Sequence, residues 1–225
     1  MLPSSSLATQ LDATAGCLFQ ISSTTPFLWD VDASFSGETS PYLSNLSSLR
    51  IDFGGNRLSG NLSSWIESDI FMLCLQSNLF SGIIPQKWCN LYKLRILDLA
   101  QNNLSGGILD CFNNFTAMVD HNTFGYKLIE NYTEKAYIVA KGREYEYDRT
   151  LQLVTYIDLS RNSLTGEIPI QITSLTSLGT LNLSMNHLFG SIPKNIGNMR
   201  WLETLDLSNN RPFGPILGSM SSLAS

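Results

Sequence analysis

Apolar residues recur along this chain in pairs separated by one position: Leu73 and Leu75, Leu97 and Leu99, Ile157 and Leu159, Leu181 and Leu183, Leu205 and Leu207. Such alternation predicts short strands with one buried face. Each pair is followed, three residues after its second member, by an asparagine. Asn56, Asn78, Asn102, Asn162, Asn186 and Asn210 stand in near-copies of Leu-x-Leu-x-x-Asn-x-Leu-[Ser/Thr]-Gly-x-Ile-Pro, at gaps of 22, 24, 60, 24 and 24 residues. One such unit has no means of burying its own apolar edge, so the units must stack, with neighbouring strands about 4.8 Å apart in a parallel sheet. The gap of 60 exceeds one period by 36, so the phase survives an insertion.

A repeat of 22 to 24 residues with this content predicts an α/β solenoid of leucine-rich repeats, its parallel sheet lining the concave side. The asparagine ends each strand where the chain turns inward, so its amide must find backbone partners in its own coil and the next. The Leu-Ser-Gly-x-Ile-Pro continuation resembles the plant-specific class of these repeats, found in cell-surface receptors and in secreted inhibitors of polygalacturonase.

The organisation expected is an irregular segment over 1–27, repeats over 28–114, an insertion over 115–150 and further repeats over 151–225. The first repeat is degenerate, with Val31 and Ala33 as its strand pair. Neither end carries the polar-faced cap that a solenoid needs, so the expectation is a segment of a longer receptor. The start of the chain lacks a basic region and carries Asp12 where a signal sequence would be apolar. No run of 18 apolar residues spans a membrane.

A net charge of −5 with no basic cluster argues against nucleic acid. The two histidines, His121 and His187, fall in different contexts. No nucleophilic, metal-ligand or phosphate-binding motif accompanies them, so neither an enzyme nor a metal or cofactor is expected. Cys89 and Cys111 end successive repeats and lie within reach of a disulfide, the alternative being two buried thiols; Cys17 and Cys74 have no evident partner. Asn45, Asn61, Asn103, Asn114, Asn131 and Asn182 begin N-glycosylation sequons, but four of these are Asn-Leu-Ser, which the repeat generates by itself. Asn114 and Asn131 are not of that kind.

Outward strand positions are expected to be free of core duty. Among them Tyr156, Met185 and His187 depart most from the repeat consensus and are the better candidates for protein contact. The recurring Asp52, Asp98, Asp158 and Asp206 are expected to serve the sheet.

Residues 115–150 hold 11 charged residues and five of the eight tyrosines. Within them AYIVAKGREYEY places two alternating runs around Lys141-Gly142, which predicts a hairpin with Tyr145 and Tyr147 on one face. The segment KGREYEYDRTLQLVTYIDLSRNSLTGEIP, with LWDVDASFSGE, NRLSGNLSSWI, LCLQSNLFSGIIP and LETLDLSNN, resembles the C-terminal ectodomain of plant leucine-rich repeat receptor-like proteins of the ethylene-inducing xylanase receptor type. That resemblance implies a single-pass plasma-membrane protein without a kinase. It implies an ectodomain that senses a protein or peptide elicitor in the apoplast and signals through receptor kinase co-receptors. It further implies that the island contributes contacts, here through Tyr137, Lys141, Arg143, Tyr145 and Tyr147. A secreted inhibitor of a pathogen cell-wall hydrolase and a non-functional receptor gene fragment remain alternatives.

Overall fold

The computed structural model describes residues 27–28, 36–38, 50–62, 66, 70–120, 136–140, 143–147 and 154–215. The strands there are, in chain order, β1 (Phe27–Leu28), β2 (Ser36–Glu38), β3 (Arg50–Asp52), β4 (Arg57–Asn61), β5 (Met72–Cys74), β6 (Leu79–Ile83), β7 (Ile96–Asp98), β8 (Asn103–Ser105), β9 (Ala136–Ala140), β10 (Arg143–Tyr147), β11 (Tyr156–Asp158), β12 (Thr165–Glu167), β13 (Thr180–Asn182), β14 (His187–Ser191), β15 (Thr204–Asp206) and β16 (Arg211–Phe213). The concave sheet has seven strands in the order β1-β3-β5-β7-β11-β13-β15. All its pairings are parallel, and each moves one coil along the solenoid. A second run of short parallel strands lies on the flank, β2-β4-β6-β8 and then β12-β14-β16. Backbone bonds from Ser163 N to Leu104 O (2.7 Å) and Thr165 N to Gly106 O (2.8 Å) carry the stacking from β8 to β12.

The phase across the insertion holds, because β7 pairs directly with β11 and Leu97 faces Ile157. Leu73, Leu75, Leu97, Leu99, Ile157, Leu159, Leu181 and Leu183 form one continuous core with Trp88, Phe112, Ile172 and Ile196, which come from the short 3₁₀ turns. Each such side chain, fully buried, contributes about 1.5–3 kcal/mol. Phe115, Ala117 and Met118, in or beside the short helix α1 (Thr116–Val119), are also buried. Val119 O accepts Thr176 Oγ1 (2.7 Å) and Ser177 Oγ (3.0 Å), so coil packing continues through Val119. At the start of the described sheet β1 places Leu28 opposite Ile51, and the expected strand pair Val31 and Ala33 lies outside the described residues.

The asparagine ladder explains the repeat's central residue. Asn162 Nδ2 donates to Leu159 O (3.1 Å) and Ser160 O (3.1 Å) in its own coil and to Leu99 O (2.9 Å) in the coil before. Its Oδ1 accepts Leu104 N at 3.0 Å. Asn78, Asn102, Asn186 and Asn210 repeat this pattern. The partner coil is thus the preceding one, not the following one that the sequence pattern suggested. Backbone polar groups turned into the core are satisfied without a regular ladder.

The expected hairpin is present. β9 and β10 pair antiparallel, with Arg143 opposite Ala140, Tyr145 opposite Ile138, Glu146 opposite Tyr137 and Tyr147 opposite Ala136. Lys141, Asn45, Asn131, His121 and Cys17 lie outside the described residues.

Candidate protein binding surface

The register of the concave sheet arranges its outward positions in two rows. The first runs Arg50, Met72, Ile96, Tyr156, Thr180, Thr204; the second runs Asp52, Cys74, Asp98, Asp158, Asn182, Asp206. On β13 and β15 these residues are half-exposed. On β5, β7 and β11 every residue is buried, so the central sheet is closed on both faces.

This corrects the reading of Tyr156 as a solvent-facing contact residue. Tyr156 is 1% exposed and packs with Met72, Cys74 and Ile96, with Phe71 and Val154 against the same cluster. Its phenol donates to Asp158 Oδ2 at 2.9 Å. Burial and the neighbouring carboxylates of Asp98 and Asp158 push the phenol far above the usual tyrosine range, so it stays a donor. Cys74 belongs to this apolar cluster and forms no disulfide.

The recurring aspartates have a structural duty, as expected. Each carboxylate accepts the backbone N–H two residues on: Gly54 to Asp52 (3.1 Å), Ala100 to Asp98 (3.1 Å), Ser160 to Asp158 (2.8 Å) and Ser208 to Asp206 (2.9 Å). Asn182 does the same for Ser184 N (3.1 Å). These Asx turns bend the chain out of the strand. Asp98 and Asp158 are nevertheless neighbours in register, and both are buried. Asp158 has two further donors, Tyr156 Oη and Asn182 Nδ2, each at 2.9 Å. Burial first, then the charge of Asp158, holds the Asp98 carboxyl well above the usual carboxylate range.

A left-handed residue stands just before each ladder asparagine; at Met185 φ is 56°. Beyond it exposure alternates strictly. Met185, His187, Phe189 and Ser191 face solvent, while Asn186, Leu188 and Gly190 are buried. Gly190 has φ of 86°, and a Cβ there would sit 2.8 Å from Glu167 Cγ. Two of the expected contact residues, Met185 and His187, therefore share one exposed row.

Phe189 and Phe213, at the third position after the ladder asparagine, were not among the expected contacts. In earlier coils this position is hydroxylic, with Ser81, Ser105 and Thr165 donating to the glycine carbonyl of the preceding coil at 3.3–3.5 Å. The last two described coils substitute phenylalanines that are 48% and 67% exposed. Register sets Phe189 opposite Glu167 on one side and Arg211 on the other. Replacing a hydroxyl-to-backbone bond with a solvated aromatic ring gains nothing within the coil, and exposed aromatics beside arginine are the side chains that anchor protein interfaces. The signal was present in the sequence as the break in the Ser/Thr column.

The remaining expected sites fall as follows. Cys89 and Cys111 are bonded, with Cα atoms 5.5 Å apart. Asn61, Asn103 and Asn114 are exposed, whereas Asn182 is half-buried on the concave sheet. Tyr137, Arg143, Tyr145 and Tyr147 lie on the two hairpin strands. Among the described residues no cluster of three His, Cys, Asp or Glu side chains is placed to hold a metal, and no helix is long and apolar enough to cross a membrane.

Residues 93–115, 153–175, 177–199 and 201–223 match the Leucine Rich Repeat family. Receptor-like protein EIX2 of Solanum lycopersicum is 40% identical over 156 residues, 63% of this chain and 15% of its own length. The fold is a leucine-rich repeat solenoid, and the chain is similar to plant receptor-like proteins. Among solved structures, the Arabidopsis receptor kinase HAESA, in complex with the peptide hormone IDA and the co-receptor SERK1, superposes with a TM-score of 0.67 at 26% identity. That match covers 86% of this chain and 27% of HAESA. The ectodomain of GASSHO1/SCHENGEN3 from Arabidopsis thaliana gives 0.63 at 31% identity, over 84% of this chain and 19% of that one. The chain spans less than a third of the length of these relatives.

Proposed function

We propose that the chain is part of the ectodomain of a plant cell-surface receptor-like protein of the ethylene-inducing xylanase receptor type, acting as a non-catalytic module that engages an apoplastic elicitor, a co-receptor kinase or both. In that setting it lies outside the plasma membrane. The single observation that carries this reading is the exposed row on the last two described coils: Met185, His187 and Phe189, with Arg211 and Phe213 beside them. The resemblance to HAESA, whose structure includes a peptide hormone and a co-receptor, supports the assignment of partner class. The closed central sheet directs recognition away from Tyr156 and toward the C-terminal coils, with the hairpin strands of Tyr137, Arg143, Tyr145 and Tyr147 as the second proposed contact element.

The test is binding of the secreted full chain to a SERK1-type co-receptor ectodomain, with and without elicitor, by interferometry. Phe189→Ser with Phe213→Ser is expected to weaken binding at least tenfold, because loss of two interface anchors costs about 2 kcal/mol or more. Leu79→Ser with Ile83→Ser, on the flank strand β6, is the control. Equal affinity of the Phe189/Phe213 variant and the parent chain would overturn the assignment of this row. Arg143→Ala with Tyr145→Ala tests the hairpin in the same assay.

A further inference from the structure

Asn114 closes the 3₁₀ turn Phe112–Asn114, three residues after the disulfide-bonded Cys111. Its sequon differs in origin from those at Asn61, Asn103 and Asn182, whose Asn-Leu-Ser is written by the repeat. In Asn114-Phe115-Thr116 the core demands only Phe115, which is fully buried, while both neighbours are exposed. Thr116 Oγ1 donates to Tyr92 O at 3.1 Å, and Asn113 Nδ2 donates to Asn114 Oδ1 at 3.2 Å. Asn114 Nδ2, the atom that would be modified, donates no hydrogen bond among the described residues.

Between these groups lies an open groove of about 420 Å³, lined by Cys89, Asn90, Tyr92, Asn113, Asn114 and Thr116. Its lining combines Tyr92, which is 38% exposed and has Lys93 Nζ 5.6 Å from its ring centroid, with the amide residues Asn90, Asn113 and Asn114 and the hydroxyl residue Thr116. This is the chemistry that an N-acetylhexosamine requires. Its C–H face lies against an aromatic ring, and its hydroxyls and acetamide find amide partners.

We propose that Asn114 carries an N-linked glycan whose first N-acetylhexosamine packs in this groove against Tyr92. The modification joins Asn114 Nδ2 to C1 of the reducing-end sugar. A polyprenyl-pyrophosphate-linked oligosaccharide is the donor, the lipid pyrophosphate is the leaving group, and one amide proton is lost. Asn182 is the counter-case: it is half-buried on the concave sheet, and its Nδ2 is held by Asp158 Oδ2 at 2.9 Å. The carbohydrate covers the flank that holds the disulfide and leaves the row through Phe189 and Phe213 bare.

The full chain, fused to a cleavable secretion leader and recovered from the secreted fraction of plant cells, is analysed by glycopeptide mass spectrometry. Asn114 is expected to be occupied and Asn182 unmodified, and Asn114→Gln is expected to remove one glycan. Tyr92→Ala is expected to keep occupancy at Asn114 while speeding native enzymatic release of that glycan about threefold to tenfold, the size of one ring contact. Tyr92→Phe retains the parental rate, and all variants release equally once denatured. A bare Asn114 in secreted protein overturns the proposal, as does a native release rate that Tyr92→Ala leaves unchanged.

Discussion

Replacing Asp98 by asparagine is expected to stabilise the protein at neutral pH. Asp98 is 5% exposed and Asp158, its partner in register on the adjacent strand, is 6% exposed. Two unit charges about 5 Å apart repel by roughly 3 kcal/mol at an effective dielectric near 20. Asp158 is the member with three donors, whereas the hydrogen bond resolved at Asp98 is the Ala100 N–H, so the strain of ionisation falls on Asp98. Asn182, in the same row on β13, shows how an amide fits: its Oδ1 takes the Ser184 N–H and its Nδ2 donates to Asp158. Asp98→Asn keeps the turn bond and removes the cost of burying an ionisable carboxyl beside Asp158, for a gain of about 1–3 kcal/mol at pH 7. That corresponds to about 2–4 °C in Tm per kcal/mol for a chain of this length.

The pH dependence carries the sign of the effect. A carboxyl whose folded pKa is raised binds more protons in the folded state, so its contribution is fully present below the unfolded value. It is lost as pH rises from there toward the folded value. The gap in Tm between Asp98→Asn and the parent is therefore small near pH 4 and opens as pH rises, in thermal unfolding followed by circular dichroism between pH 4 and 8. A variant that is less stable than the parent across that range would refute the reasoning. It would show that Asp98 is ionised and paired in the folded protein.

Three further outcomes follow from the same geometry. Asn162→Ala strands the carbonyls of Leu99, Leu159 and Ser160 and the N–H of Leu104, and is expected to cost about 2–4 kcal/mol in chemical denaturation; an effect under about 1 kcal/mol would contradict its role in joining the coils that flank the insertion. Gly190→Ala forces a Cβ into a left-handed turn and against Glu167, at an expected cost of about 1–2 kcal/mol, with Glu167→Ala expected to relieve part of it. Thiol titration of unfolded, unreduced secreted protein is expected to count Cys17 and Cys74 but not Cys89 and Cys111. Reduction of that 22-residue loop is expected to lower stability by about 3 kcal/mol.

Much of this architecture is legible in the sequence because the repeat states it many times. The leucine pairs, the ladder asparagines, the phase across the insertion and the hairpin about residues 141–142 follow from local pattern and spacing, whereas for Cys89 and Cys111 the spacing left a bond and two buried thiols both open and the structure shows the bond. The closed concave centre is less legible. Period-two alternation in one strand marks one face as buried and the other as wet, and only a comparison across strands reveals that Met72, Ile96 and Tyr156 stack as an apolar column between Arg50 and Thr180. Phe189 and Phe213 escape for the converse reason. A phenylalanine near a leucine run reads as core; the break in the Ser/Thr column is the sequence signal against that, and the register, with the hydroxyls of Ser81, Ser105 and Thr165 bonded outside the core, shows that their column faces solvent. The extension of coil packing to Val119 depends on tertiary bonds to Thr176 and Ser177, far away in sequence.

Recognition by the last described coils is tested most directly by hydrogen–deuterium exchange of the secreted full chain with and without a SERK1-type co-receptor ectodomain and elicitor. Binding is expected to slow exchange in peptides covering residues 185–191 and 211–213. Peptides over 72–74, 96–98 and 156–158, already buried on both faces, are expected to change little. Protection confined to those central strands, with none at 185–191, would contradict the account.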